Sequence, residues 1–158
     1  MSLRFVPFGA RHYAIYDAWF ADPVLSEALG GIDDVRLDYI LADTSGREYA
    51  VLDGEQLVGV VGLLLPTHNH REVVITNLAV KPDLRRSSIG TRIIRQLPQV
   101  VSLRPDIGCL AYVHERNLAA RCFFEQNGWR AMGNNPPEDK MILYSSRGYA
   151  ETYALAGE

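Results

Sequence analysis

Apolar positions recur first at helical spacing, then at strand spacing, and finally at the two in alternation. Near the N-terminus, Leu3, Phe5 and Phe8 with Arg4 and Val6 between them predict a short strand closed by Pro7 and Gly9. Tyr13, Ile15, Tyr16, Trp19 and Phe20 then recur at helix spacing. Asp22-Pro23 opens a second helix over 23–29, since proline is tolerated in a first helical turn. After Gly30-Gly31, the residues Val35, Leu37, Tyr39, Ile40 and Leu41 set among acids predict a further helix over 33–42, so the N-terminal third reads as mostly helical.

From Glu48 the period changes. Tyr49 to Leu52, the turn Asp53-Gly54 and the apolar run Leu57 to Leu65 predict an antiparallel hairpin. Pro66 to Arg71 is polar and turn-like. Glu72 to Val80, rich in β-branched residues, predicts a third strand returning beside the first two. A loop, Lys81 to Ser88, leads into Ile89, Ile93, Ile94, Leu97, Val100 and Val101 at helical spacing, with Pro98 weakening that helix near its end. Ile107 to Val113 reads as a buried strand. Asn117 is placed to cap a helix through Glu125, with Gly128 just past its end. Trp129 to Met132 and Lys140 to Ser145 predict two closing strands joined by the turn-rich segment Gly133 to Pro137. The middle of the chain is thus a βαβα unit with a parallel strand pair, and no internal repeat or interdomain linker interrupts it.

Composition narrows the class. The 158 residues, 47% hydrophobic and 22% charged with a formal charge of −3, suit one soluble globular domain over 1–158 and exclude collagen, coiled coil and intrinsic disorder. The longest apolar run, Leu57 to Pro66, holds two glycines and falls short of the roughly 18 to 20 residues of a membrane span. The first residues show no apolar core of a signal peptide, so a cytoplasmic location and no membrane partner are expected. Cys109 and Cys122, without CxxC spacing, read as small core residues, and no metal site is expected. A mildly acidic chain repels a phosphate backbone, so no nucleic-acid partner is expected.

The segment 72–91 carries the clearest chemistry. Arg85 and Arg86 are followed by small residues, and Gly90 stands at a helix entrance. A helix N-terminus presents unpaired N–H groups and about half a positive charge, so the segment suits a phosphate or pyrophosphate. The alternative is an ordinary strand-to-helix loop with solvated arginines.

A wider pattern bears on that choice. Asn-Leu-Ala-Val-Lys-Pro-Asp-Leu-Arg-Arg-Ser-Ser-Ile-Gly-Thr, residues 77–91, resembles the acyl-CoA-binding motif Arg/Gln-x-x-Gly-x-Gly/Ala of the GNAT superfamily of acyl-CoA-dependent N-acyltransferases. Arg85 fits the first position, Gly90 the last, and Ser88 replaces the first glycine. Residues 117–129, Asn-Leu-Ala-Ala-Arg-Cys-Phe-Phe-Glu-Gln-Asn-Gly-Trp, are similar to that family's Asn-x-x-Ala-x-x-Phe-Tyr-Glu-x-x-Gly-Phe. The resemblance covers nearly the whole chain. It implies an α/β fold of the α+β type: a mixed, mostly antiparallel twisted sheet of six to seven strands with a central parallel splayed pair, flanked by about four helices.

The resemblance also implies a cofactor site for acetyl-CoA or coenzyme A, with no metal. Leu78, Ala79 and Val80 would offer backbone to the pantetheine arm, as in strand addition to an open edge. The N–H groups of Arg86, Ser87, Ser88, Ile89, Gly90 and Thr91 would hold the pyrophosphate beside Arg85. Asn117 would bond pantetheine or simply cap its helix, and Phe123 and Phe124 would line the thiol end or belong to the core. The implied reaction is transfer of an acetyl or other short acyl group to a primary amine of a small molecule or peptide. Such an amine, with a pKa of about 10.4, is mostly charged at neutral pH and calls for a base.

Where many relatives carry a tyrosine as acid, this chain has Phe124; Tyr112, His114 and Tyr144 stand in for it as candidates. Where relatives often carry a catalytic carboxylate, it has Val74 and Thr76, with Glu72 the nearest acid. His68 and His70 lie in a polar loop as base, substrate contact or surface. Asp17, Asp22, Glu27, Asp33, Asp34 and Asp38 make the N-terminal region acidic, which would attract a cationic amine or merely solvate helix faces. The competing readings are a non-catalytic acyl-CoA-binding sensor, and a P-loop nucleotide binder that the missing Gly-Lys-Ser/Thr disfavours. An exposed edge strand would admit a homodimer.

Overall fold

The computed structural model describes residues 3–29, 46–66, 71–101, 107–132 and 140–146. Along the chain run β1 (Arg4–Pro7), α1 (Ala10–Ala18), a 3-10 turn (Trp19–Ala21), α2 (Pro23–Leu29), β2 (Gly46–Asp53) and β3 (Gln56–Leu64). There follow β4 (Val73–Val80), a 3-10 turn (Pro82–Leu84), α3 (Ile89–Val100), β5 (Cys109–His114), α4 (Leu118–Gln126), β6 (Arg130–Ala131) and β7 (Met141–Ser145). The sheet has seven strands in the order β1-β2-β3-β4-β5-β7-β6. β4 and β5 are parallel, while β1–β2, β2–β3, β5–β7 and β6–β7 are antiparallel. This mixed sheet with four described helices is the fold class expected from the sequence. The helix expected over 33–42, His68, His70, the Gly133–Pro137 turn and the tail from Arg147 lie outside the described residues.

The chain divides into two compact units, one drawn from Met1–Leu64 and Asn77–Ser102, the other from Leu65–Thr76 and Leu103–Glu158. In the first, β3 is buried from Leu57 through Leu63 because helices cover both of its faces. On one face Ala50, Leu52, Leu57, Val60 and Ala79 pack with Phe8, Tyr16, Trp19 and Leu25. Tyr16 is the hub, with ring centroids 5.7 Å from Phe8, 5.5 Å from Trp19 and 5.1 Å from Phe20, all edge-on as the ring quadrupoles prefer. Each such side chain withdrawn from water contributes roughly 1.5–3 kcal/mol. The other face of β3 meets α3, whose Ile89, Ile93, Ile94 and Leu97 are buried along one stripe. A Cβ on Gly59 would come within 2.7 Å of Ile93 Cδ1 and 3.2 Å of the Ala79 carbonyl oxygen, so the close seating of α3 needs a glycine there.

In the second unit Val73, Val74 and Ile75 pair in parallel with Cys109, Leu110 and Ala111, and β5 pairs with β7 along Leu110 to His114. Helix α4 ends in a Schellman motif: Gly128 N–H donates to Glu125 C=O at 3.1 Å and Trp129 N–H to Phe124 C=O at 3.0 Å. The accompanying apolar contact is Phe124 on Trp129, with ring centroids 4.8 Å apart. Cys109 is buried, and burial pushes its thiol up to about 11, so it serves as an inert apolar residue as expected. Cys122 is exposed on α4, contrary to its expected core placement. Its apolar neighbours Phe123 and Phe124 do not bring it inside, since adjacent helical positions face different ways.

At the start of α1, the Gly9 N–H donates to His12 Nδ1 at 2.9 Å, a third-position side chain reaching back as in a capping box. That acceptor role requires the neutral ring. His12 is only 5% exposed, and burial, reinforced by Arg11, holds its pKa below the ordinary 6.5. A base whose folded pKa is depressed takes up more protons when unfolded. Its share of the stability is therefore present above about pH 6.5 and lost as pH falls through the folded value. We expect the unfolding free energy measured in urea to drop between pH 7 and 5 more for the wild type than for His12→Gln, which keeps the acceptor without the titration; equal drops would refute this.

Candidate functional site

The segment from β4 into α3 is built as the sequence indicates. β4 alternates, with Val73, Ile75, Asn77 and Ala79 buried, Val74, Leu78 and Val80 half-buried, and Thr76 exposed. At its end the Lys81 N–H donates to Val58 C=O at 2.9 Å, and the Leu84 N–H closes the 3-10 turn on Lys81 C=O at 2.9 Å. Arg86 and Ser88 then take left-handed backbone, φ 66° and 70°. Between them the Ser87 N–H donates to Leu84 C=O at 3.3 Å, and its hydroxyl donates to the same oxygen. The first full helical bond of α3 is Arg92 N–H to Ser88 C=O at 2.9 Å, which leaves the N–H groups of Ile89, Gly90 and Thr91 ahead of the ladder. No side chain caps this end. Three aligned donors, a helix dipole and the exposed Arg86 form a donor set suited to a diphosphate.

Arg85 is engaged elsewhere. Its guanidinium forms an ion pair with Asp22, just ahead of α2, and thereby ties the loop to the N-terminal helices. The hydrogen bond from Arg85 holds the Asp22 carboxyl below the usual carboxylate range against the opposing effect of burial, helped by the Val24 N–H at 3.4 Å. Asp22 is thus a compensated charge rather than a free attractor for a cationic amine. Asp17 is exposed; Asp33, Asp34 and Asp38 lie outside the described residues, as does the side chain of Glu27.

The candidates of the second unit have partners of their own. Asn117 caps α4, its side-chain oxygen accepting the Ala120 N–H at 3.1 Å. Phe124 is buried between Trp129 and Tyr144, stacked on the latter at 5.9 Å, whereas Phe123 is half-buried. The Tyr144 hydroxyl donates to Glu125 Oε2 at 2.8 Å and accepts from Arg121 Nε at 3.4 Å. Burial first, with Glu125 adding to it, raises its pKa, so its proton stays on and is committed to Glu125. Tyr112 is 53% exposed. His114 is exposed, with Nδ1 accepting the Arg116 N–H at 3.1 Å, which places any ring proton of the neutral form on Nε2. Glu72 is half-buried just before β4.

One pair went unnoticed in the sequence. Glu48 on β2 stands opposite Gly62 on β3, and Asn77 on β4 reaches it, Nδ2 donating to Oε1 at 3.3 Å and to Oε2 at 3.1 Å. Gly62 makes room: a Cβ there would lie 2.7 Å from Glu48 Cδ. Asn77 is 6% exposed, and its Oδ1 has no hydrogen-bond partner among the described residues. A buried acceptor left in that state costs about 1–3 kcal/mol, so it calls for an explanation. The available signal was an amide inside an apolar strand and a glycine on the strand next to an acid. Neither is readable before the register is known.

Among the described residues no group of three His, Cys, Asp or Glu could hold a metal ion, and no helix is long and apolar enough to cross a membrane. The family model described as Acetyltransferase (GNAT) family matches residues 12–129. No match was found among curated proteins. Several solved structures share the fold. An acetyltransferase from Thermus thermophilus is 18% identical with TM-score 0.75, over 92% of this chain and 96% of that one. The aminoglycoside acetyltransferase AAC(6')-Ib, in complex with coenzyme A and kanamycin, is 16% identical with TM-score 0.72, over 91% and 93%. The Campylobacter jejuni N-acetyltransferase PseH is 16% identical with TM-score 0.64, over 92% and 97%.

Two stability predictions arise here. Ser88→Gly should stabilise the protein by about 0.5–1 kcal/mol, because relief of a left-handed side chain worth roughly 1–2 kcal/mol outweighs the added freedom of glycine in the unfolded chain; a destabilised variant in urea denaturation would contradict the loop geometry. Asn117→Ala should cost about 1 kcal/mol through the lost cap, and an unchanged denaturation midpoint would show the bond to be idle.

Proposed function

Because the chain belongs to the acetyltransferase (GNAT) family, whose model matches residues 12–129, we propose that it transfers an acetyl or other short acyl group from acetyl-CoA to a primary amine of a small molecule or peptide. The observation that carries this reading is the uncapped start of α3 behind Arg86 and Ser88. The N–H groups of Ile89, Gly90 and Thr91, with the exposed Arg86, hold the diphosphate. Ser87 shapes the turn through Leu84, and Arg85 braces it through Asp22. Leu78, Ala79 and Val80 lie on the strand that leads to this loop and offer backbone groups to the pantetheine arm. When bound, the cofactor supplies a thioester carbonyl carbon open to attack by a neutral amine.

Ser88 in place of the motif's first glycine is compatible with this role, since its small exposed side chain leaves the anion's approach open. Asn117 and Phe124 spend their visible contacts on the cap of α4 and on the core of the second unit. The missing tyrosine at Phe124 is tolerable, because a thiol with pKa of roughly 8.5 leaves without a strong acid. The same phenylalanine is the one observation favouring the second reading, a protein that binds acyl-CoA without efficient turnover.

Titration calorimetry with acetyl-CoA, followed by a thiol-release assay over a panel of a polyamine, an aminoglycoside, an amino-acid amide and a peptide, separates these readings. We expect binding, amine-dependent thiol release, and at least a tenfold loss of affinity in Gly90→Val with the thermal midpoint nearly unchanged. Binding without release from any amine would favour the sensor, and no binding would overturn both readings.

A further inference from the structure

Asn77 sets a polar group among the buried residues of β4, and the two halves of that group are unequally used. Its amide nitrogen donates to both oxygens of Glu48, so the carboxamide is held with its oxygen turned away from that anion. Glu48 has a further interaction of its own. What the pair still offers is therefore Asn77 Oδ1, buried and without a donor among the described residues. By the period of two, Asn77 shares the face of Ala79, which packs with Phe8, Tyr16, Trp19 and Leu25 of the N-terminal segment. α3 lies across the opposite face, where Ile93 meets Gly59. A diphosphate at the start of α3 sends its arm back along Val80, Ala79 and Leu78, so that the thioester end arrives at Asn77. The oxygen thus stands at the reacting end of the strand, on the side away from α3.

A carboxamide oxygen is no base at neutral pH; it takes an N–H or an O–H as hydrogen-bond acceptor. Which donor can stay on it through acyl transfer is a matter of proton count. A primary amine, reacting as neutral R–NH2, forms the C–N bond to the thioester carbonyl carbon with its lone pair, while the C–S bond breaks with its electron pair going to sulfur. One N–H proton ends on that sulfur, giving the free thiol, and the other remains on nitrogen in the product amide. A secondary amine gives up its one N–H in the same step, and an alcohol its one O–H. We propose that Asn77 Oδ1 holds one N–H of the acceptor nitrogen from encounter to product, and so selects primary amines over secondary amines and alcohols. This rests on the acyltransferase reading and deepens it to a residue that sets the substrate class. The bond strengthens as nitrogen gains positive charge during attack, and burial keeps water from competing for the same oxygen.

Full-length wild type, Asn77→Leu and Asn77→Asp test this with the best primary amine of the panel and its N-methyl derivative. Leucine nearly matches the volume without an acceptor, whereas aspartate keeps the oxygen and shares one proton with Glu48. Thermal melts check folding, and acetyl-CoA affinity by calorimetry should stay within about threefold in both variants. In the wild type, kcat/KM for the primary amine should exceed that for the N-methyl derivative by about 100-fold or more. Asn77→Leu should lower this ratio about tenfold or more, and Asn77→Asp should hold it within about threefold. A folded Asn77→Leu that keeps the wild-type ratio, or an Asn77→Asp that loses it as fully as Asn77→Leu, overturns the proposal while the acyltransferase reading stands. A measurement on the wild type decides if a variant does not fold. The Asn77 side-chain 15N–1H resonances of the coenzyme A-bound protein should shift when the primary amine is added, and unmoved resonances overturn the proposal. If the wild type itself releases no thiol with any amine, the acyltransferase reading fails first and this proposal with it.

Discussion

Strand β3 is buried on both faces, and what it leaves uncovered at two glycines sets the first unit. At Gly59 the missing side chain lets α3 sit against the sheet with Ile93 in contact. At Gly62 it lets the Glu48 carboxylate lie across the strand and reach Asn77. Close packing makes both vacancies specific, since an interior at crystal-like density has no slack to absorb even a methyl group elsewhere. The start of α3 is thereby held at a fixed height above the strands that feed it, and a pair of polar groups is kept within a sheet otherwise covered by Tyr16, Trp19 and their neighbours.

The loop between β4 and α3 combines rigidity with open donors. Two residues in left-handed backbone, a 3-10 turn and the Arg85–Asp22 ion pair define its path, yet none of these consumes the first amides of the helix. Conformational strain at Arg86 and Ser88 is a cost borne where a ligand is expected, as is common when geometry is needed before binding. The ion pair has a second consequence: by compensating Asp22, it removes one acid of the N-terminal region as a free attractor for a cationic amine.

Much of this was legible in the chain. The Asp53-Gly54 turn, the β-branched run before Val80, the helical spacing from Ile89 and the cap at Asn117 each rest on local backbone chemistry, and each element formed within a residue or two of its expected bounds. Roles were less legible than elements. The motif presents Arg85 as an anion ligand, yet it braces Asp22, because the partner of a long flexible side chain is chosen by what the fold brings near it. Apolar surroundings in sequence suggest a core position for Cys122, yet it is exposed, because Phe123 and Phe124 occupy other faces of the same helix. Tyr144 has the chemistry of an acid, yet its proton is held by Glu125 from a helix nineteen residues earlier in the chain.

Alternation, turn residues and caps act over a few bonds, so the sequence by itself determined the order of strands and helices, the motifs opening α3 and α4, and through them the family. The pairing of Glu48 with Asn77 spans 29 residues and depends on β2, β3 and β4 lying side by side in one register, with a glycine in the middle position. Only the tertiary structure decided it, because a one-residue slip in that register would send the carboxylate to the opposite face of the sheet.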